Sequence, residues 1–469
     1  MKRIFIFFFI LFFINFFTII NSTLTEEESL NEFNKWLINN KVYKNPKIEI
    51  KVLEKYGRSI VAKQPIKKNE KLISVPKLVI MSNMGGFSHH LPSEIYEPSS
   101  TMGISPTNLQ AIFLMYCKLN ERSFWHPYVS VLPKQFTTSI YFSEEELDQL
   151  QSSKLKEFTI IRKDGIERHY NSTFTRLSNR GIAEFSPTST QTLQQKGYTL
   201  ELFTWALSCV WSRAFSLSDS DGGMVPLADM FNAEEISKSK VQPKVTDSTL
   251  DYYASDDIEI GEQIFTPYGV YKPLSSSQML MDYGFVFNHG TPSDNVAITV
   301  PVFHPDEPNI QVKQAILEEN EVENEVFLLT KKNPLPTELL LYARVKNLIT
   351  KETKYAKIHF LSYQTKDQPL NVRNEKVSLR FLENLIHRYL DSYETTLDFD
   401  KSLIENSNDN NNNNNNLSFN SLNSIKIRIS EKEILLSTLD AIEKKREKLN
   451  NINNNNNNNI NNNNNESDS

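Results

Sequence analysis

The hydrophobic period changes four times along this chain, and those changes constrain the fold more than any single motif does. Residues 24–40 put Leu30, Phe33, Trp36 and Leu37 on one helical stripe, so a short amphipathic helix opens the folded part. From Ile48 to Met81 the segments IEIKVLEKYG, SIVAKQPI and EKLISVPKLVIM are rich in β-branched residues and broken by Gly57, Pro65 and Asn69, which predicts a small antiparallel meander. Helical spacing returns between Asn108 and Leu150, where Ser143 and Glu146 have capping-box spacing, and runs on to Phe215. Strands are expected again at Met224 to Leu227, Leu250 to Ala254 and Glu262 to Pro267. From about Pro308 the pattern is helical, including VKQAILEENEVENEVFLL and a stretch where Leu379, Leu382, Leu385, Ile386 and Leu390 recur at bundle spacing.

A weak internal echo joins the two strand-rich pieces. AKQPIKKNEKLI from Ala62 and ASDDIEIGEQIF from Ala254 match at Ala, Ile and Glu, with a turn former, Asn69 or Gly261, just before the glutamate. Both are expected as hairpins with short turns, and together they make one domain split by a helical insert. The resulting division is 23–106, an insert at 107–215, a return at 216–300, and a helical domain at 301–449. An asparagine-rich insertion at 406–416 and a tail at 450–469 cannot bury apolar surface and are expected to be disordered.

A length of 469 residues implies two to four compact units. With 39% hydrophobic residues, 23% charged residues and a formal net charge of −6, bulk charge gives no reason to expect nucleic acid as a partner. Two cysteines, Cys117 and Cys209, permit at most one bridge and rule out a multi-cysteine metal site. The eight histidines show neither HxxxH nor HExxH spacing, so no metal is expected. GxGxxG, GxxxxGK[ST] and GxSxG are all missing.

Lys2 and Arg3 precede a charge-free apolar run from Ile4 to Ile20, so residues 1–22 are expected to be a secretory signal or a retained signal anchor. Membrane association follows only if the segment is retained. On the secretory route Asn171-Ser172-Thr173 could be glycosylated, whereas a tail-out anchor leaves the domain in the cytosol. The acidic run Glu318 to Glu325 is a solvated helix face that could guide a basic protein.

Polar residues in an apolar frame concentrate between Trp211 and Gly290. VPLADMFN is expected as an apolar strand running into Asp229 and Asn232, which serve either as caps at a strand-to-helix turn or as holders of a polar ligand. Tyr268 follows Pro267 and precedes Gly269, and Tyr283 stands in a second Tyr-Gly pair. A phenol beside a glycine turn can present its hydroxyl to a cleft or can be structural.

Six ordered segments carry a resemblance: GRSIVA (Gly57 to Ala62), SFWHPYVSVLP (Ser123 to Pro133), SRAF (Ser212 to Phe215), VPLADMFN (Val225 to Asn232), GEQIFTPYG (Gly261 to Gly269) and MDYGFV (Met281 to Val286). In this order they resemble the SET-domain methyltransferases, and more narrowly the branch typified by the plant Rubisco large-subunit lysine methyltransferases. The resemblance implies an α+β fold: a SET core of small β-sheets with knot-like threading, split by a helical insert and followed by an all-α C-terminal domain. It implies S-adenosylmethionine as cofactor, a lysine side chain of a protein as substrate, and a monomer. By position, the resemblance puts Tyr56, Arg58 and Ser59 against the cofactor and has Arg213, Asp229, Asn232 and Ala233 hold its ends; Tyr268 is the catalytic tyrosine and also a cofactor contact. Phe215 and Tyr283 line the substrate channel. Relatives carry Asn-His where this chain has Asn232-Ala233, and GxG where it has Gly57-Arg58-Ser59, so Ser59 is expected in a conformation glycine takes more easily. Phe215 and Ala228 stand where, by the resemblance, lysine-modifying relatives carry similar apolar residues and the histidine-modifying branch polar or bulkier ones, which favours lysine. The competing readings are histidine methylation and a silent SET-fold binding module.

Overall fold

The computed structural model describes residues 25–53, 57–83, 85–217, 222–234, 238–268, 273–322, 325–362, 364–365, 367–407 and 417–466, with side chains only to 451 in the last stretch. The signal or anchor segment, Tyr56, Gly269 and the asparagine run 408–416 lie outside these residues. Among the described residues no helix is long and apolar enough to cross a membrane. The chain divides into two compact units, Met1–Phe136 with Asp164–Val270, and Thr137–Lys163 with Tyr271–Ser469. The stretch expected as a single helical insert, 107–215, is therefore shared between them.

The strands are β1 (Tyr43–Lys44), β2 (Ile48–Leu53), β3 (Gly57–Ala62), β4 (Lys71–Pro76), β5 (Ala214–Ser216), β6 (Gly222–Met224), β7 (Asn232–Ala233), β8 (Val241–Val245), β9 (Thr249–Ala254), β10 (Phe265–Thr266), β11 (Asn295–Thr299) and β12 (Val326–Thr330). Before them the helix Glu26–Asn39 starts at a Thr25–Glu28 capping box and buries Phe33, Trp36 and Leu37, as its spacing predicts.

In the first unit β2 and β3 form the expected hairpin, but β4 does not extend it into a meander. The other edge of β3 is already used: Val61 bridges Gln263, and Ile264 N–H donates to the Ile60 carbonyl at 2.8 Å. Strand β4 instead joins an antiparallel sheet of order β1-β4-β9-β8.

The two echo segments lie antiparallel to each other. Ile66 and Ile258 exchange both backbone hydrogen bonds at 2.9 Å, and Asn69 N–H meets the Ala254 carbonyl at 2.8 Å. Their turns are equivalent in detail. Asn69 (φ 68°) and Gly261 (φ 80°) are both left-handed, and Glu70 and Glu262 each accept from the backbone N–H three residues earlier. Each glutamate also holds a lysine, Lys47 at 2.9 Å and Lys240 at 2.7 Å. The resemblance between the segments is thus a paired structural repeat that ties the two strand-rich pieces together.

The helix Leu200–Arg213, capped by Thr199, ends before Phe215, which stands in β5 where helix was expected. The strand expected to run to Leu227 stops at Met224. Pro226 has no N–H to donate, Leu227 turns left-handed (φ 73°), and a 3-10 turn over Ala228–Met230 delivers the chain to β7. Strand β7 pairs in parallel with β10, Asn232 opposite Phe265 and Ala233 opposite Thr266. A parallel pair needs a crossover, which the β8–β9 hairpin supplies.

The second unit packs Ile298, Leu329, Leu339, Leu379, Leu382, Ile386 and Leu435 into one core. Its helices include Ile310–Glu319, Thr337–Lys346, Thr353–Leu361, Val372–Asp391 and Phe419–Glu466. The expectation of helix alone here needs a correction, because VFLLT is β12, antiparallel to β11. Glu321 (φ 59°) terminates the preceding helical turn, and exposure then alternates with period two, Phe327 and Leu329 inward and Val326 and Leu328 outward. A second correction concerns the tail, whose backbone stays helical to Glu466 through the asparagine run. Propagating a formed helix needs only one more residue fixed per hydrogen bond, and asparagine is a middling former.

Candidate functional site

The site begins where the helix Leu200–Arg213 ends. Arg213, in its last turn, reaches the 3-10 turn and donates through Nη1 to the Asp229 carbonyl at 2.7 Å and to Asp229 Oδ2 at 3.2 Å. Tyr128, fully buried, donates its phenol to the same Oδ2 at 2.8 Å. Burial raises the Asp229 carboxyl above its ordinary value, with Arg213 and then Tyr128 opposing. Burial works against the Arg213 charge, yet Asp229 and Tyr128 hold its pKa above the usual arginine value. Asp229 is therefore neither a cap nor a solvated carboxylate but the acceptor of a buried ion pair.

That ion pair is incompletely satisfied. Asp229 Oδ1 and Arg213 Nε are both buried with no hydrogen-bond partner among the described residues. Native interiors rarely leave such groups unpaired, and a donor and an acceptor left over on the two members of one ion pair are groups that a ligand offering both could engage.

A second set of contacts joins β3 to β7. Asn232 donates through Nδ2 to the Ser59 hydroxyl at 2.8 Å and the Arg58 carbonyl at 3.2 Å, and Gln263 donates to Ser59 Oγ at 3.1 Å. The strain expected at Ser59 is not there. Gly57 (φ 65°) takes the left-handed conformation, while Ser59 sits fully buried in regular β3 opposite Lys51. Arg58 pairs with Glu26 at 3.3 Å; burial lowers its pKa first, and the nearby Arg213 charge lowers it further.

Tyr268 follows β10 and donates its hydroxyl to the Phe231 carbonyl at 3.1 Å, on the chain that links Asp229 to Asn232. The Phe231 ring packs 5.6 Å from Tyr252 of β9, and Tyr252 meets Phe215 edge-on at 6.2 Å. Tyr252 is 1% exposed and its hydroxyl too has no partner among the described residues; burial, then Asp229 and Tyr268, push its pKa far upward. Ala233 is buried in β7 with its backbone opposite Thr266.

The first unit thus gathers Arg58, Ser59, Arg213, Phe215, Asp229, Asn232, Ala233 and Tyr268 around the two crossing segments. Tyr283 stands in the second unit at the C-cap of the helix Ser276–Asp282, its phenol pushed up to about 12 by burial and then by Asp282. Sequence reasoning passed over Tyr128, Tyr252 and Gln263. Tyr128 lies inside the quoted segment SFWHPYVSVLP, but nothing local pairs it with Asp229. Cys117 and Cys209 are both buried and free, burial raising the Cys117 thiol to about 12. Among the described residues no His, Cys, Asp and Glu side chains cluster in a way that could hold a metal.

Comparison with known proteins agrees with this layout. Residues 304–435 match the family model described as Rubisco LSMT substrate-binding. A structure of the SET domain of LSMT bound to lysine and AdoHcy aligns with a TM-score of 0.71 at 24% identity, covering 90% of this chain and 92% of that one. A structure of Rubisco LSMT bound to AdoMet aligns with a TM-score of 0.69 at 24% identity, covering 90% and 93%. Among curated sequences the chain is similar to actin-histidine N-methyltransferases, at 25% identity over 406 residues in Papio anubis and 25% over 411 in Gallus gallus. These alignments take in 83% and 85% of this chain, which spans 64% and 66% of the length of those relatives. The chain therefore has the fold of the Rubisco LSMT SET-domain structures, and its helical residues 304–435 match the region described as Rubisco LSMT substrate-binding.

Proposed function

We propose that this chain is an S-adenosylmethionine-dependent protein methyltransferase that modifies a side-chain nitrogen, with lysine as the first reading. The observation that carries the proposal is the unpaired couple Arg213 Nε and Asp229 Oδ1, which complements the zwitterionic amino-acid end of that cofactor. Beside it, Arg58, Ser59, Asn232 and Ala233 supply backbone and amide groups for the remainder. Neighbouring structures of this fold hold AdoMet or AdoHcy, which supports the same assignment.

When bound, S-adenosylmethionine supplies an electrophilic methyl group on a sulfonium. The protein has to present a neutral nitrogen in line and keep water out. Phe215, Phe231 and Tyr252 form an apolar wall that disfavours an ammonium, lowering a lysine pKa from about 10.4 toward neutrality. The Phe231 carbonyl fixes the Tyr268 hydroxyl, so the phenol oxygen holds one orientation and can accept weak C–H contacts.

Histidine is the second reading. It is favoured by the names of the sequence relatives, and its imidazole is largely neutral at pH 7 without help. Incubation of the full chain with tritiated S-adenosylmethionine and cell lysate, followed by mass spectrometry of the labelled peptide, separates the readings. A methyl group on lysine Nζ supports the first and one on an imidazole nitrogen the second; cofactor binding without any transfer supports a silent binding module. The N-terminal segment is proposed to place the protein on the secretory route or on its membrane, which a C-terminal fluorescent fusion with protease protection tests.

A further inference from the structure

The helix Val372–Asp391 buries Asn374, Ser378, Leu379, Leu382, Leu385 and Ile386 and turns the opposite stripe to solvent. That stripe contains Arg373, Lys376, Arg380, His387 and Arg388, all exposed. At 100° per residue they fall within one face about 120° wide, running roughly 22 Å along the axis. Arg373 is tied to Glu352 at 3.1 Å and to the Asn347 carbonyl at 2.7 Å. Lys376, Arg380 and Arg388 have no ion-pair partner among the described residues. Glu383, which borders the middle of the stripe, is paired with Arg446 at 2.7 Å, and the exposed Asp391 lies on the stripe at its C-terminal end.

This is unusual placement in a chain whose net charge is −6. Buried acidic groups of the second unit are matched, Asp400 by Arg428 and Lys432 and Glu375 by Arg344, whereas the cations of this stripe face solvent. Tyr389 lies on the opposite, packed side of the helix, where its hydroxyl accepts from Thr299 N–H at 2.6 Å and leaves the cationic stripe facing away from β11. A row of cations, three of them without an ion-pair partner among the described residues, fits a protein surface of opposite charge.

We propose that the outer face of Val372–Asp391 is the docking surface for an acidic segment of the protein substrate, with Lys376, Arg380 and Arg388 as its charge contacts. The proposal rests on the methyltransferase reading for the word substrate, and on the match of residues 304–435 to a substrate-binding family model. Within the acidic run from 318, Glu319 pairs with Lys357 at 2.8 Å.

The test uses the full chain and a fluorescent polyglutamate peptide, followed by anisotropy at low and high salt, with polylysine and a duplex DNA of equal charge as alternatives. The variant is Lys376→Glu, Arg380→Glu, Arg388→Glu; the control, Lys63→Glu, Lys68→Glu, Lys244→Glu, makes the same charge change at exposed positions of the first unit. Polyglutamate should bind the wild type and the control alike, weaken with salt, and lose about tenfold or more in affinity to the variant. Equal binding by wild type and variant, no binding at all, or tighter binding of polylysine or DNA overturns the proposal. Calorimetry with S-adenosylmethionine on the same preparations keeps the two levels apart: failure there sinks the methyltransferase reading, while a changed response to polyglutamate alone concerns the docking face.

Discussion

Tyr128 and Arg213 converge on one oxygen of Asp229, its Oδ2, at 2.8 and 3.2 Å, and so leave Oδ1 of the same carboxylate and Nε of the same guanidinium unpaired in the interior. The arrangement holds the carboxyl in one orientation while reserving one acceptor and one donor. A structural ion pair would be expected to use both oxygens, as Glu375 does with Arg344 at 2.6 and 2.9 Å.

Removing the phenol should loosen that carboxylate. Tyr128→Phe is expected to cost about 1.5–3 kcal/mol of stability in urea unfolding, because a buried hydrogen bond to a charged group is lost with little change of shape. Calorimetry should also show weaker S-adenosylmethionine binding. Unchanged binding would place Asp229 outside the cofactor site.

Arg213→Met should be more damaging, about 3–5 kcal/mol, since it leaves the Asp229 charge buried with only a phenol. The double variant Arg213→Met, Asp229→Asn should recover part of that stability and none of the cofactor binding. Recovery of binding would contradict the assigned roles.

The second unit carries a pH response of its own. Burial first, with Asp294 adding to it, raises the Glu431 carboxyl to about 7, against hydrogen bonds from Tyr393 and Ser153 and the charge of Lys432. A carboxyl raised above its unfolded value of about 4.3 contributes stability that is full below that pH and lost as pH climbs through 7. Stability should therefore fall by a few kcal/mol between about pH 4 and 8. Glu431→Gln should flatten that part of the profile, which thermal melts across the range will measure.

Asp251 responds in the opposite sense. Burial would raise its carboxyl, but hydrogen bonds from Lys71 and Ser74 outweigh it and hold the value at about 2. A depressed carboxyl gives stability above its unfolded value that disappears as pH drops through about 2. Asp251→Asn should accordingly lose stability at pH 7 and show a shallower acid transition between about pH 4 and 2.

Periodicity made the elements legible where one face is buried. The helix Glu26–Asn39 and the bundle face of Val372–Asp391 follow directly from their apolar spacing, and the Asn69 and Gly261 turns from their residue types. Pairing was less accessible: nothing in EKLISVPKLVIM says that β3 already has a partner on its far side, so β4 was expected in the wrong sheet. VFLLT failed for a related reason, since a short apolar run after a helix has no period long enough to distinguish strand from helix. In the site, the ordered motifs located Arg213, Asp229, Asn232 and Tyr268. Tyr128 and Tyr252 remained hidden because their roles come from contacts 101 residues away in one case and from packing on Phe231 in the other.

The central claim is that Tyr268, anchored on the Phe231 carbonyl, serves methyl transfer and not cofactor retention. It is tested most directly by the rate of tritium transfer from labelled S-adenosylmethionine to protein acceptors, for the wild type and for Tyr268→Phe, with cofactor affinity determined on each. The account predicts a rate lower by about a hundredfold with cofactor affinity preserved. Equal rates, or a loss confined to cofactor affinity, would contradict it.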